Sequence, residues 1–408
     1  MNERSLPPRS DRPEALSLRI ADKMSAISPE LWDGLADPQP VASDEQSSRM
    51  RPGNPFLTHA FLSALEESGC VGRKAGWLPQ HLILEDQSGK ILAATPAYLK
   101  SHSQGEYVFD WGWADAFEQA GGRYYPKLQI SVPFTPATGP RLLVGGGGED
   151  EEFRRRALCE GIKTFTGQFG LSSAHATFLT AADLAALEDS GFLHRTDTQF
   201  HFVNRGYQSY DDFLATLASR KRKALKKERR EALEDGITVE WLTGRDLTEG
   251  AWDAFFEFYM DTGSRKWGRP YLNRRFFSLV GERMANDILL VMARREGRYI
   301  AGALNFIGRE TLYGRYWGCI ENHPNLHFEL CYHQAIDFAL AEKLELVEAG
   351  AQGEHKLARG YEPVTTHSAH YIAHEGLRRA VEDYLETERE HVAEVGDLLG
   401  EHTPYRKG

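Results

Sequence analysis

One order of elements, written twice along 408 residues, constrains the fold more than any single motif does. In the first half, helical spacing at Ser28–Leu35 and Phe56–Ser68 gives way to apolar runs at His81–Glu85 and Ile91–Leu99, joined by a polar turn at 86–90. Tyr107–Trp113 reads as a third strand, followed by a Gly/Pro-rich stretch, a helix at Glu149–Phe169, a strand at Ala174–Leu179, a short helix at Ala181–Ser190 and a strand at Thr198–Asn204. The second half repeats the succession. A helix over Tyr210–Glu234 precedes strand Ile237–Leu242 and helices Gly250–Met260 and Asn273–Met284. Strands Ile288–Arg294, Tyr299–Ile307 and Thr311–Cys319 form a meander, then come helix Phe328–Lys343, strands Leu344–Ala349 and His367–His374, and helix Leu377–His391. The letters are not repeated, only the pattern. It predicts an α+β chain of two tandem units, mixed sheets flanked by helices, at 14–195 and 196–391, with polar tails at 1–13 and 392–408.

Composition narrows the class. Hydrophobic residues make up 41% of the chain and aromatics 11%, enough for large cores. Residues 1–18 lack the apolar centre of a signal peptide, and no apolar run reaches the length of a membrane span, so a cytoplasmic protein without a span is expected. Cys70, Cys159, Cys319 and Cys331 are scattered, which suggests neither a zinc knuckle nor a disulfide framework. The net charge of −11 excludes wholesale coating of nucleic acid. Arg220–Arg230 runs against that average with eight basic residues and one acid. It reads either as a site for a phosphate-rich ligand or as a solvated helix face balanced by Glu228, Glu231 and Glu234.

The densest chemistry lies at Glu348–Pro363, EAGAQGEHKLARGYEP, directly after an apolar strand. Gly350, Gly353 and Gly360 imply a backbone that turns sharply or approaches a ligand closely. Gln352, Glu354, His355, Lys356 and Arg359 crowd the turn, and a carboxylate beside an imidazole at a strand end is the composition of a proton-transfer site. His323, His327 and Glu329 invite a metal reading, but Pro324 breaks the helix that would align the imidazoles, so no metal is expected.

Four strings go further: YPKLQISVPFTPATGPRLLV (125–144), LYGRYWGC (312–319), LHFELCYHQAIDFA (326–339) and GAQGEHKLARGYEP (350–363). They resemble a bacterial Fem-like, GNAT-related family labelled peptidoglycan biosynthesis/recognition, and the order of elements is that of tandem GNAT units. The resemblance spans residues 14 to 390. It implies an acyltransferase that moves an acyl or aminoacyl group to an amine, with a peptidoglycan precursor as one such acceptor. No tightly bound cofactor is implied, and the donor is either acyl-CoA or an aminoacyl-tRNA held along 220–230. One departure tells against CoA: the pyrophosphate-binding turn of acetyl-CoA enzymes is glycine-rich, whereas Cys319–His327 has no glycine.

Such a transfer implies roles for particular residues. Glu354 or His355 serves as base, and Tyr332 or Tyr316 protonates the leaving group. Arg315 acts as an anion clamp or stacks between rings; strict alternation puts Tyr313, Arg315 and Trp317 on one face. Glu329 and His333, four apart on a helix, are expected to pair facing the glycine turn. Lys356 and Arg359 hold a phosphate or form a surface pair near Glu362. Asp110 and Trp111 line an acceptor cleft. The reading from a different class is a binding module for a precursor or other phosphorylated ligand, which needs the cleft but no base.

Overall fold

Short polar side chains start helices where the sequence places them: Thr58 accepts the Phe61 N–H at 3.2 Å, and Asn273 accepts the Phe276 N–H at 3.1 Å. The computed structural model describes residues 16–38, 51–146, 150–266, 270–350 and 353–406. The expected tail at 1–13 and the side chain of Gln352 lie outside the described residues.

The first half runs β1 (Ser17–Ala21), α1 (Pro29–Ala36), α2 (His59–Glu67), β2 (Trp77–Pro79), β3 (His81–Glu85), β4 (Ile91–Thr95), β5 (Ala97–Lys100), α3 (Trp111–Gln119), β6 (Lys127–Ile130), α4 (Asp150–Gln168), β7 (Ser173–Thr177), α5 (Ala181–Asp189) and β8 (Leu193–Val203). The second half adds α6 (Tyr210–Thr216), α7 (Ser219–Ala232), β9 (Thr238–Leu242), α8 (Glu249–Lys266), α9 (Arg274–Met284), β10 (Ile288–Arg295), β11 (Arg298–Ile307) and β12 (Thr311–Cys319). It closes with α10 (Leu326–Phe328), a π-helical turn at Glu329–His333, α11 (Gln334–Ala341), β13 (Leu346–Glu348), β14 (Glu362–Ile372) and α12 (Glu375–Glu401).

Eleven of these strands form one mixed sheet, in the order β2-β5-β6-β7-β14-β8-β13-β12-β11-β10-β9; β1, β3 and β4 form a second. Each half contributes one parallel pair, β6 with β7 and β12 with β13. The strand that closes each pair comes from elsewhere in the chain: β14 lies antiparallel to β7, and β8 antiparallel to β13. β8 and β14 then pair with each other from Glu362↔His201 to His370↔Leu193, which welds the halves into one sheet. A division at 195/196 falls inside β8, and β14 belongs to the first sheet half by pairing though not by position.

Several elements differ from expectation. The run at 91–99 is split by Pro96, which lacks an N–H for the ladder, so β4 stays with β3 while β5 joins the large sheet. Tyr107–Trp113 is not a strand: irregular backbone leads into α3. The helix at Tyr210–Glu234 is two helices, because Leu217 turns extended and Ala218 donates its N–H to the Pro404 carbonyl at 3.0 Å. Nor is 392–408 a tail, since α12 continues to Glu401. Val392, Val395 and Leu399 carry on the helical spacing set by buried Leu377, Val381 and Leu385.

A shared core joins the halves. Phe56 before α2 meets Tyr313 and Phe306 with ring centroids 5.2 and 5.1 Å apart, and Phe61 of α2 meets Phe276 of α9 at 5.6 Å.

Candidate active site

The parallel strands β12 and β13 pair only through Thr311↔Leu346, Leu312↔Val347 and Tyr313↔Glu348, and then part. β12 runs on to Cys319 while the other chain leaves through Ala349 and Gly350. At the parting point β12 carries a bulge: Asn305 faces Gly314 and Leu304 faces Tyr316, leaving Arg315 as the extra residue. The bulge breaks the alternation assumed for this strand. Tyr313 and Tyr316 pack against the shared core, whereas Trp317 packs against the opposite one with Leu312, its ring 5.2 Å from His327.

Arg315 is held on the shared-core side. Its Nη2 donates to the Phe134 carbonyl at 2.5 Å, and the guanidinium lies 5.3 Å from the Tyr316 ring. Tyr316 spends its own proton on the Phe134 carbonyl at 3.2 Å, and burial pushes its phenol well up. The 131–141 segment, part of the Gly/Pro-rich string 125–144 that carries the family resemblance, thus lies over the parting strands. Gln199 donates to the Pro136 carbonyl at 3.0 Å, and Arg141, fully buried, donates to the carbonyls of Ala137 and Thr177. Beneath this cover sits Glu348. Burial dominates and pushes its carboxyl to about 8, against the opposing pull of the Arg315 and Arg141 guanidinium groups. Its Oε2 has no hydrogen-bond partner among the described residues.

On the other side of the gap is the glycine-rich corner. Gly350, Gly353 and Gly360 all have positive φ (79°, 119° and 86°), as their spacing foretold. Between the last two, Glu354–Arg359 forms a 3-10 turn. Glu354 and His355 are exposed; Lys356 and Arg359 are buried. His355 Nε2 lies 2.9 Å from the Tyr332 hydroxyl, whose pKa burial raises. Neither basic residue is a free phosphate ligand. Lys356 donates to the Gly350 carbonyl at 2.8 Å, and burial lowers its pKa to about 8. Arg359 is forked onto Glu228 of α7 at 2.9 and 2.6 Å and donates to the His355 carbonyl at 2.7 Å, while Glu362 pairs with Arg205 instead.

Glu329 and His333 do not pair with each other. Both lie on the π turn, and each is claimed by a side chain of α7. Glu329 takes Arg229 at 3.1 and 2.8 Å; His333 takes Glu228 at 2.8 Å and the Tyr210 hydroxyl at 2.6 Å. The basic run therefore has two faces. Glu228 and Arg229 turn inward beside buried Leu225 and Ala232, holding the corner and the π turn in place. Arg220, Lys221, Lys223, Lys226, Lys227 and Arg230 face out, with Lys226 on Asp211 and Lys227 on Glu231.

Glu354 stands on the wall of a cleft of 430 Å³, which Tyr107, Phe109, Asp197, Val392 and Leu399 also line. Asp110 and Trp111 are not part of it. Asp110 is buried against Lys127 at 2.5 Å and accepts the Tyr124 hydroxyl at 2.6 Å, in a network that reaches Ser103 and Glu106 and so anchors the segment before α3. Trp111 is half exposed, 4.8 Å from the Phe109 ring. His323 pairs with Glu321, and no group of three metal-ligating side chains occurs among the described residues.

Tyr107, Asp197, Glu228 and Glu348 are site residues that sequence reading missed. For Glu228 a signal existed: it shares the helix face of Leu225 and Ala232, which marks an inward acid. Asp197 sat outside the strand boundary drawn at Thr198, and Tyr107 was assigned to a strand.

A long mixed sheet with two parallel pairs, each flanked by a helix and closed by an antiparallel strand, defines a tandem GNAT-like architecture. The chain belongs to the FemAB-like family, described as peptidoglycan biosynthesis/recognition, which matches residues 23–407. Among solved structures it is similar to FemX, with 13% identity, 87% of this chain and 98% of that one covered, and a TM-score of 0.53. It is also similar to L-PGS from Bacillus licheniformis (10% identity, 86% and 99% covered, TM-score 0.48) and to a tandem GNAT protein from the clavulanic acid biosynthesis pathway (11%, 88% and 98%, 0.43). No curated protein sequence matches the chain. No helix among the described residues is long and apolar enough to cross a membrane.

Proposed function

We propose that this protein transfers an acyl or aminoacyl group to an amine, in the cleft beside the parting of β12 and β13. The observation that carries the reading is Glu354, presented by positive-φ Gly353 to a 430 Å³ cleft at the carboxyl end of a parallel strand pair. The amine nitrogen attacks the donor carbonyl, the new C–N bond replaces the bond to the donor, and Glu354 accepts the nitrogen's proton. The Tyr332–His355 pair, one residue further on, returns a proton to the leaving oxygen.

Two features favour an aminoacyl ester over a CoA thioester as donor. The turn after β12 offers no glycine amides for a pyrophosphate. It also holds Glu321, tied to Arg295 and Arg298, whose carboxyl is drawn down to about 2 by His323 and Arg298, an anion where a phosphate would lie. The outward cations of α7 suit a nucleic-acid donor. The family description makes a peptidoglycan precursor the natural acceptor. A module that binds phosphorylated ligands fits less well, because Lys356 and Arg359 are already engaged.

Purified protein with labelled aminoacyl-tRNA or acyl-CoA and an amine acceptor tests the proposal. Glu354→Gln is expected to lower turnover by about 10²-fold or more with unchanged melting, since loss of a positioned base costs that much. Full activity in that variant removes Glu354 from the mechanism. Binding of donor and acceptor without product from the wild type supports the binding module.

A further inference from the structure

The Tyr332–His355 pair spans two elements. Tyr332 sits on the π turn and His355 on the 3-10 turn of the glycine corner, so the 2.9 Å between hydroxyl and Nε2 is measured across a seam. The chain between them crosses α11 and β13 and then two positive-φ glycines, Gly350 and Gly353. Backbone of that kind does not fix a distance by itself, and the corner has to be held from outside.

One carboxylate reaches both sides of the seam. Glu228 Oε1 lies 2.8 Å from His333 Nε2, and His333 is the residue next to Tyr332. The same oxygen accepts Arg359 Nε at 2.9 Å, while Oε2 accepts Arg359 Nη2 at 2.6 Å. Arg359 donates its remaining Nη1 to the His355 carbonyl at 2.7 Å, on the residue that carries the imidazole. Its guanidinium lies 3.5 Å from the centre of the Phe328 ring, directly before the π turn, which restricts the fork to one plane. His333 is oriented from its far side as well, its Nδ1 2.6 Å from the Tyr210 hydroxyl. Burial raises the Glu228 carboxyl, but His333 and Arg359 outweigh it and hold it below the usual range. The clamp is therefore ionised at neutral pH and its hydrogen bonds are charge-assisted.

We infer that Glu228 is a positioning residue for the transfer: through His333 on one side and Arg359 on the other, it sets the separation and angle of the Tyr332–His355 pair. This rests on the reading of the cleft as a transfer site and adds what aligns its proton-returning groups. A misplacement of about 1 Å costs on the order of 10²-fold in rate, so a clamp of this kind acts on turnover and not on substrate affinity.

A double-mutant cycle on the full chain, with a spectroscopic arm, tests the inference. Glu228→Gln keeps the side chain's shape and removes its charge; Tyr332→Phe removes the hydroxyl of the pair. In imidazole nitrogen-15 spectra, Tyr332→Phe marks the His355 signals of an unpaired ring, and Glu228→Gln is expected to move them towards that position. In turnover, Glu228→Gln is expected to lower kcat about tenfold or more with KM within about twofold, and to cost nothing further in the Tyr332→Phe background. Should Glu228→Gln fail to fold, Arg359→Lys, which keeps the charge and loses the fork, takes its place with the same expectations. His355 signals unchanged by the variant, or losses that add in the double variant, overturn the assignment. The two readings fail separately. His355 signals that depend on Glu228 in a protein that transfers nothing leave the clamp assigned and remove the reaction. Transfer with His355 signals indifferent to Glu228 does the reverse.

Discussion

Glu348 lies under the 131–141 segment with one carboxylate oxygen unpartnered among the described residues, and burial raises its pKa to about 8 from 4.5. The raised value makes the folded state hold a proton that the unfolded chain has released. Between pH 4.5 and 8 the native state therefore binds more protons, so stability falls as pH rises through that window and the loss is complete above about 8. Glu348→Gln keeps the shape and removes the ionisation. It is expected to raise the melting temperature at pH 9 by about 2–6 °C and to change it little at pH 5, read by thermal melts at the two pH values. A variant equally stable or less stable at pH 9 shows that the carboxyl is ionised and satisfied in the fold. At the same scale, the mixed identity of 348–363 was legible: three glycines announced three left-handed turns. The letters did not reveal that Lys356 and Arg359 are consumed by Gly350 and Glu228, because their partners are fixed by packing.

At the scale of elements, α8 rests directly on β12. A Cβ on Gly318 would stand 2.2 Å from the Phe258 backbone, where no side chain can move aside. Gly318→Ala is accordingly expected to cost roughly 1–3 kcal/mol, as overpacking does, and to loosen the strand end that carries Arg315. Denaturant unfolding measures the first effect; a wild-type midpoint would show that α8 shifts freely. Helix α7 shows why a charge run is ambiguous on its own. Its outward cations are exposed, while Glu228 and Arg229 form part of the frame that holds the π turn and the glycine corner. The breaks at Leu217 and Pro96 show the two extremes. Proline announces itself chemically, but Leu217 leaves the helix only because Tyr405 and Pro404 arrive to pair with its neighbourhood.

For the molecule as a whole, the exchange of closing strands is decisive. β14 completes the sheet half that contains β7, and β8 completes the half that contains β13. A fragment of residues 1–203 therefore lacks β14 and exposes β8 without β13. It is expected not to fold alone, giving no cooperative melt, whereas co-expression with residues 204–408 restores a soluble complex. A cooperatively folding 1–203 fragment would show that the halves are independent domains.

Periodicity and turn chemistry are local properties, so the chain's own letters determined most of the helices, the meander of the second half, the resemblance that gave the family and the glycine corner, but not β2, α3 or β6. Pairing across long sequence separations is a property of the packed chain. Only the tertiary structure decided which strand closes which half, that Arg315 sits on a bulge, that Asp110 belongs to a buried ion network, and that Asp197 opens onto the cleft beside Glu354. The physical reason is common to all four: each depends on a partner many residues away, selected by buried shape and hydrogen bonding and not by its neighbours in sequence.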